Sequence, residues 1–208
     1  MKPNSFHRKI LYSKKLPRLV KFTIIIFTNW CFHGFLYMER SEKIIFLFLD
    51  LIFFLPFFFL LSLLMNPVSA VFCTLAISHT LHWLFNGHLY VLLKNLGFSR
   101  TSLSCFVEYL EDLSRRAKNE NSIDAILVLG SLSRGVLTER SDLDIRIIRL
   151  KGFVNGVRAC TFAFLERVRA LLRRIPLDIY TCDDFQCIEK LDERPIIIYR
   201  RALKLNNS

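Results

Sequence analysis

Two aspartates, one residue apart, open an apolar run in the second half of the chain. Asp142 and Asp144 flank Leu143, and the residues after them are typical of a buried strand. Side chains at positions i and i+2 of a strand point to the same face, so the two carboxylates lie side by side. Two hard oxygen ligands in that arrangement suit a divalent cation.

A glycine and a serine end the apolar run that precedes these aspartates. Gly130 and Ser131 follow residues 126–129, and the pattern predicts a short helix near residues 132–137. Glycine lets the backbone approach a phosphate closely, and the free N–H groups at a helix start favour an anion. A phosphate cradle beside paired carboxylates is the equipment for metal-assisted nucleotidyl transfer.

The two motifs together resemble the signature of the DNA polymerase beta-type nucleotidyltransferase superfamily, closest to its compact minimal nucleotidyltransferase branch. The matching residues are Gly130-Ser131-Leu132-Ser133-Arg134-Gly135 and Ser141-Asp142-Leu143-Asp144. The resemblance covers roughly residues 102–205. That family has a third carboxylate on a later strand, for which Asp178 in residues 176–180 is the candidate.

The resemblance implies a role for each of these residues. Asp142 and Asp144 would bind Mg²⁺ or Mn²⁺, and Asp178 would bind a second ion and assist deprotonation of the acceptor hydroxyl. The residues implied to hold the triphosphate of an NTP substrate are Gly130, Ser131 and Arg134. An exposed surface position is an equally good interpretation of Arg134.

Arg146 departs from the family pattern, because it follows the aspartate pair on the same strand face and a guanidinium competes with a cation. It would either contact a substrate phosphate or mark a site that has lost one metal. Two hypotheses therefore stay open. The first is an active nucleotidyltransferase, whose acceptor is a lipid-linked or cell-envelope sugar or a protein. The second is a non-catalytic membrane protein that retains the fold and binds nucleotide or a partner.

Composition divides the chain into a membrane module and a domain of ordinary composition. The 208 residues include 29 Lys+Arg against 18 Asp+Glu, and the 20 Phe concentrate in the first half. We predict a basic tail and interfacial segment over 1–40, a transmembrane helical hairpin over 41–94, and a nucleotidyltransferase-like domain over 95–208 that is soluble alone. The predicted fold class is α+β, a mixed sheet with flanking helices preceded by an all-α hairpin.

Residues 44–64 and residues 68 to about 90 are the predicted spans, since 21 residues at about 1.5 Å each match the bilayer core. Residues 22–38 are interrupted by polar side chains and are expected to be interfacial or re-entrant. A hairpin keeps the N-terminus and the Arg-rich half in the cytoplasm, as the positive-inside rule favours, whereas three spans would place the basic tail outside. That tail either binds an anionic leaflet or only fixes the topology.

An ionisable residue inside the first span is costly and usually has a partner. Reflecting Asp50 through the turn at Asn66-Pro67 predicts contact with His82, or with His79 one turn deeper. Either this contact fixes the register of the hairpin, or it belongs to a polar pocket for a lipid head group, joined by Asn86 and His88.

The remaining patterns place the elements that position the site. Ser102 is the predicted N-cap of a helix over 102–117. The other predicted elements are strands at 122–129, 143–150, 177–181 and 196–199, a long helix at 155–174 and a helical turn at 185–191.

Two further expectations concern cysteines and arginines. All six cysteines are expected to be reduced and structural, since no metal-ligand spacing is present. The arginines of the long helix are expected on a solvated face, and no aromatic residues are interleaved with them for base stacking, which argues against a nucleic-acid partner. These arginines are Arg158, Arg167, Arg169, Arg173 and Arg174.

Overall fold

The computed structural model describes residues 17–32, 35, 38, 40–86, 90, 100–189 and 194–201. Within these ranges, three N-terminal helices precede a domain built on a four-stranded sheet. The helices are α1 (Arg18–Phe32), α2 (Arg40–Ser62), α3 (Pro67–Phe85), α4 (Leu103–Lys118), α5 (Gly130–Ser133), α6 (Phe153–Leu172) and α7 (Gln186–Glu189). The strands are β1 (Ile123–Leu129), β2 (Leu143–Arg149), β3 (Leu177–Cys182) and β4 (Ile196–Arg200). The predicted α+β class is confirmed.

The predicted strands and long helices of this domain are present, with shifts of one or two residues at their ends. Ser102 caps α4 as expected, because its hydroxyl accepts a hydrogen bond from the Cys105 N–H at 3.3 Å. The short motif helix was predicted too far along the chain. It begins at Gly130 itself, and Gly135, with a φ of +71°, turns the backbone away soon after Ser133.

The sheet is mixed, with strand order β3-β2-β1-β4. β2 pairs antiparallel with β1 and parallel with β3, and β4 pairs antiparallel with β1. The long helix α6 makes the crossover that a parallel β2–β3 pair requires. This topology places Asp144 opposite Leu129 on one side and opposite Asp178 on the other.

The main core lies on the face of the sheet that α4 and α6 cover. Phe106 and Tyr109 of α4 are fully buried there, against alternate residues of β2 such as Ile145 and Ile147. The opposite face holds a smaller apolar cluster around Leu127, Ile148 and Ile188. Because strand side chains alternate, Asp144 and Asp178 lie on this second, less covered face.

Helices α2 and α3 form a hairpin, and both are long and apolar enough to cross a membrane. The turn between them is the predicted one, since Asn66 caps α3 by accepting from the Ser69 N–H at 2.9 Å. Small buried residues, Ala70, Thr74 and Ser78, follow one face of α3 and allow close helix packing. Only 6% of the most apolar stretch of α2 is buried, so most of its side chains face outward.

The predicted interfacial segment contains α1, which packs on α3. Trp83 donates from Nε1 to Asn29 Oδ1 at 2.8 Å, and Trp30 donates to Thr80 Oγ1 at 3.2 Å. The ring of His79 bonds the Trp30 carbonyl at 2.9 Å. These contacts anchor α1 along the hairpin.

The predicted contact between Asp50 and His82 is confirmed. Asp50 Oδ1 lies 2.6 Å from His82 Nδ1, and the His82 side chain is fully buried. Asn86 lies next to the ring, with its Nδ2 3.4 Å from Nε2. His88 falls outside the described residues, and His79 bonds α1 instead.

The hairpin is joined to the domain by a buried ion pair, which corrects the expectation that the α6 arginines are solvated. Arg167 pairs with Glu42 of α2, and both side chains are buried. Arg158 and Arg173 do lie at the surface, where they pair with Glu120 and Asp112. Periodicity alone misplaced Arg167, because its face of α6 packs on the hairpin rather than on water. Solubility of residues 95–208 alone stays a prediction, and this buried pair weighs against it.

A second correction concerns the cysteines. Cys182 and Cys187 form a disulfide, whereas the other four are free, as expected. The chain reverses between the end of β3 and α7, and this brings their Cα atoms to 6.3 Å, within the range that a disulfide spans. Sequence spacing does not reveal such a reversal.

The contact between Asp50 and His82 predicts non-additive substitutions. Asp50→Ala leaves a fully buried imidazole without its carboxylate and should destabilise the hairpin by ~1–3 kcal/mol. Adding His82→Ala should cost little more, because the two side chains act as one pair. Unfolding of the full-length protein in detergent, for the two single variants and the double variant, measures the coupling. Thr80→Ala, on the same helix, is the control, and additive losses would contradict the pairing.

Candidate functional site

The predicted carboxylates lie at the ends of β2 and β3, on the less covered face of the sheet. Asp142 directly precedes β2, Asp144 is its second residue, and Asp178 is the second residue of β3. Asp144 and Asp178 are register partners on parallel strands, which lie about 4.8 Å apart. All three residues are half-buried.

The carboxylates share a face, but they do not surround a common point. Among the residues that the structure describes, no three His, Cys, Asp or Glu side chains are gathered closely enough to hold a metal ion. The sheet therefore sets the positions of the three carboxylates, and the metal-binding assignment of Asp142, Asp144 and Asp178 stays a prediction.

Gly130 brings the two sequence motifs into contact. It adopts a φ of +71°, and a Cβ built on it would overlap Oδ2 of Asp144 and stand 2.9 Å from Cγ. Glycine is required here for two reasons. Other residues rarely adopt this φ, and any Cβ would occupy the space of the Asp144 carboxylate. The glycine predicted to admit a phosphate thus admits the side chain of Asp144.

Ser131 presents a buried hydroxyl that the protein does not satisfy. Its Oγ is inaccessible to solvent and has no hydrogen-bond partner, although most buried polar atoms have one. The neighbouring Ser133 hydroxyl, by contrast, donates to the Gly130 carbonyl at 3.1 Å. An oxygen of a bound nucleotide would satisfy Ser131, which fits the role implied for it. Arg134 is exposed, and its role stays a prediction.

The surroundings of Asp178 shift the pKa of its carboxyl. Its burial raises its pKa above the ordinary value of 3.8, and the charge of Asp142 acts in the same direction. The guanidinium groups of Arg146 and Arg167 and a hydrogen bond from Tyr180 oppose this rise in the pKa. The net effect is a pKa above the ordinary value.

Arg146 lies buried beneath an aromatic ring. Its Cζ is 4.8 Å from the centre of the Tyr180 ring, and it donates to the Ile145 carbonyl at 2.7 Å. It thus acts on Asp178 through its charge. The two interpretations of Arg146, contact with a substrate phosphate or a site that has lost one metal, both stay predictions.

Sequence reasoning did not select Tyr180, which contributes to the site. It lies two residues after Asp178 and so shares its face of β3. Met38 and Phe46, next to and within the hairpin, pack against its buried ring. The i+2 spacing from Asp178 is the sequence signal that could have identified Tyr180. No sequence signal indicates that apolar residues of the hairpin cover its ring.

Comparison with known proteins supports the class that this fold and site suggest. Residues 108–205 match the family model of the nucleotidyltransferase domain. The match supports a nucleotidyltransferase-like domain over these residues, in line with the resemblance to that superfamily, and it supports a general nucleotidyltransferase function. No curated protein matches the chain.

Replacing Gly130 should disrupt the site, and Gly135 offers a matched control. Both glycines have a φ of +71°, but only a Cβ at Gly130 meets Asp144, whereas one at Gly135 meets no atom within 4 Å. We expect Gly130→Ala and Gly135→Ala to share a backbone cost of ~1–3 kcal/mol. Gly130→Ala should be less stable still and should lose nucleotide transfer. Thermal melting and transfer assays measure the difference, and equal behaviour would show that the Asp144 contact is unimportant.

Asp178→Asn should stabilise the metal-free protein at neutral pH. A carboxyl whose pKa is raised on folding loses stability as the pH climbs from its unfolded pKa, near 3.8, to its folded pKa. Asparagine does not ionise and avoids that loss. The melting temperature in EDTA should therefore exceed that of the wild type, by a margin that shrinks as the pH falls towards 3.8. A lower melting temperature at neutral pH would show that the positive charges beside Asp178 outweigh its burial.

Proposed function

We propose that the chain is a membrane-anchored nucleotidyltransferase that moves a nucleoside monophosphate from an NTP to a hydroxyl acceptor with the help of Mg²⁺ or Mn²⁺. The observation that carries the proposal is the contact of the two motifs within a domain of this family. Gly130 lies in close contact with the Asp144 carboxylate, and Asp144 is the register partner of Asp178. If these aspartates were only solvent-exposed residues at the ends of strands, neither the close contact with Gly130 nor the pairing of Asp144 with Asp178 would be needed.

The donor set suits a divalent cation. Asp142, Asp144 and Asp178 supply hard carboxylate oxygens on one face of the sheet. A bound cation would neutralise charge on the triphosphate and align the attacking and leaving oxygens. Asp142 and Asp144 would hold one ion and Asp178 a second one, as the family resemblance implies, and the unsatisfied hydroxyl of Ser131 would contact a phosphate oxygen beside them.

Asp178 has the properties of a proton acceptor for the attacking hydroxyl. A general base works best when its pKa approaches the operating pH, and burial shifts the pKa of Asp178 in that direction. The charges of Arg146 and Arg167 oppose that shift. In this assignment, Asp178 receives the proton of the acceptor hydroxyl on its carboxylate.

The hairpin would hold this domain at the cytoplasmic surface of a membrane. Outward-facing side chains of α2 such as Leu55 and Phe59 are 56% and 70% exposed, which suits lipid contact. The basic N-terminal tail and the Arg-rich domain would both remain inside. This location favours an acceptor at the membrane, whether a lipid-linked or cell-envelope sugar or a protein hydroxyl.

Label transfer from nucleotides tests the proposal directly. Membranes that contain the full-length protein are incubated with Mg²⁺ and each labelled NTP in turn, and the labelled product is identified. Asp142→Asn and Asp144→Asn should lower transfer at least about 100-fold without unfolding the domain, since each removes a carboxylate from the proposed site. Asp124→Asn makes the same change at the opposite end of β1 and should have no effect.

Binding measurements distinguish the two hypotheses that the sequence left open. Asp178→Asn should slow transfer while sparing some nucleotide binding, because its proposed role is partly towards the acceptor. Wild-type transfer by Asp144→Asn would sink the catalytic assignment. Tight NTP binding with no transfer to any membrane component would favour the non-catalytic protein.

A further inference from the structure

Strand β3, which bears Asp178, lies at an edge of the sheet and pairs with β2 on one side only. The backbone groups of Ile179 and Thr181 point outward from that edge, since residues two apart direct their N–H and C=O groups to the same side. An unprotected edge strand is a liability that proteins cover. Here a buried ion pair between Glu42 and Arg167 lies against that edge.

Glu42 of the hairpin bonds the outward-facing donors of this edge. Its Oε2 accepts from the Thr181 N–H at 3.1 Å and from the Thr181 hydroxyl at 3.2 Å. Its other oxygen accepts from Arg167, which also donates to the carbonyl of Ile179. The carboxylate thus satisfies the Thr181 N–H and the guanidinium the Ile179 carbonyl, two outward-facing groups on either side of Tyr180.

The same part of the hairpin covers the face beside the edge. Phe46, one helical turn after Glu42, packs with Met38 on the ring of Tyr180. Tyr180 in turn hydrogen-bonds Asp178. Edge and face are therefore both held by residues of α2 and the segment before it.

We propose that Glu42 is a positioning residue, which acts through Arg167 and the outer edge of β3 to hold Asp178 in register with Asp144. The proposal rests on the proposed function, because it concerns the carboxylate set assigned to the metal. It also makes the hairpin part of the site, since the domain alone lacks the residue that fixes β3.

The network extends from this edge into the hairpin. Arg167 also donates to Asn86 Oδ1 at 3.1 Å, and Asn86 lies next to His82, which bonds Asp50. Asn86 terminates α3, so both helices of the hairpin contact the group that holds β3. The packing of α2 on α3 therefore bears directly on the position of Asp178.

The test compares Glu42→Gln with a matched control in the full-length protein, purified in detergent. Glu108→Gln makes the same change on the exposed face of α4. We expect Glu42→Gln to weaken binding of Mn²⁺ alone about tenfold or more, as loss of an outer-shell partner commonly does, and Glu108→Gln to leave it unchanged. Electron paramagnetic resonance of free Mn²⁺ gives the affinity, and circular dichroism shows that each variant is folded.

Hydrogen exchange reports the strand itself. In Glu42→Gln, amides of residues 177–182 should exchange faster while those of β1 do not. If a folded Glu42→Gln binds Mn²⁺ as the wild type does, or exchange rises equally throughout the sheet, Glu42 has only a structural role and the proposal is wrong.

Two further variants keep the result decisive. Glu42→Asp retains the charge but is one methylene shorter, so it should fold and still weaken Mn²⁺ binding; wild-type affinity in that variant would overturn the proposal. Asp144→Asn tests the underlying site. If Asp144→Asn weakens Mn²⁺ binding and the Glu42 variants do not, the metal site stands and the positioning role of Glu42 is wrong. If Asp144→Asn leaves Mn²⁺ binding unchanged, both the metal site and this proposal are wrong.

Discussion

A buried carboxylate and a buried guanidinium, Glu42 and Arg167, meet where the hairpin contacts the sheet. Removing two such charges from water is costly, and the attraction between them repays the cost only when every remaining hydrogen-bonding group is satisfied. Thr181, Ile179 and Asn86 supply further hydrogen bonds to this pair. Loss of either partner leaves an uncompensated charge, a defect that typically costs ~3–5 kcal/mol. The hairpin and the domain are thus bound by a polar interface that tolerates little displacement.

The features that could be predicted from the sequence depend on short separations or on symmetry about a turn. Asp142 and Asp144 follow from the two-residue period of a strand, and the Ser102 cap follows from local helix chemistry. The Asp50–His82 contact follows because two helices joined at Asn66 fold back at equal rise. In each case a regular geometry relates a sequence distance to a spatial one.

The features that could not be predicted join distant segments with no such geometry. Glu42 and Arg167 are 125 residues apart, and nothing in either helix announces that their faces will meet. Arg167 has neighbours typical of a solvated helix, so its burial depends on tertiary packing alone. The disulfide depends on the path of the chain after β3, and the overlap of Gly130 with Asp144 depends on the register of β1 and β2. Sequence motifs thus predicted the positions of the carboxylates along the strands, whereas packing decides how those carboxylates are held.

The covering of α2 by the domain is one-sided. Glu42, Ile45 and Leu49 line a small cavity against α6, while Leu47 and Phe48 on the other side are more than half exposed. If α2 crosses a bilayer, about 10 Å of its length is shielded from lipid on the side of the domain and available to lipid on the other. The hydrophobic belt around the hairpin would then be shorter on one side. Such a mismatch is accommodated when the helices tilt or the bilayer thins locally. The bilayer would then be deformed next to Asp142, Asp144 and Asp178.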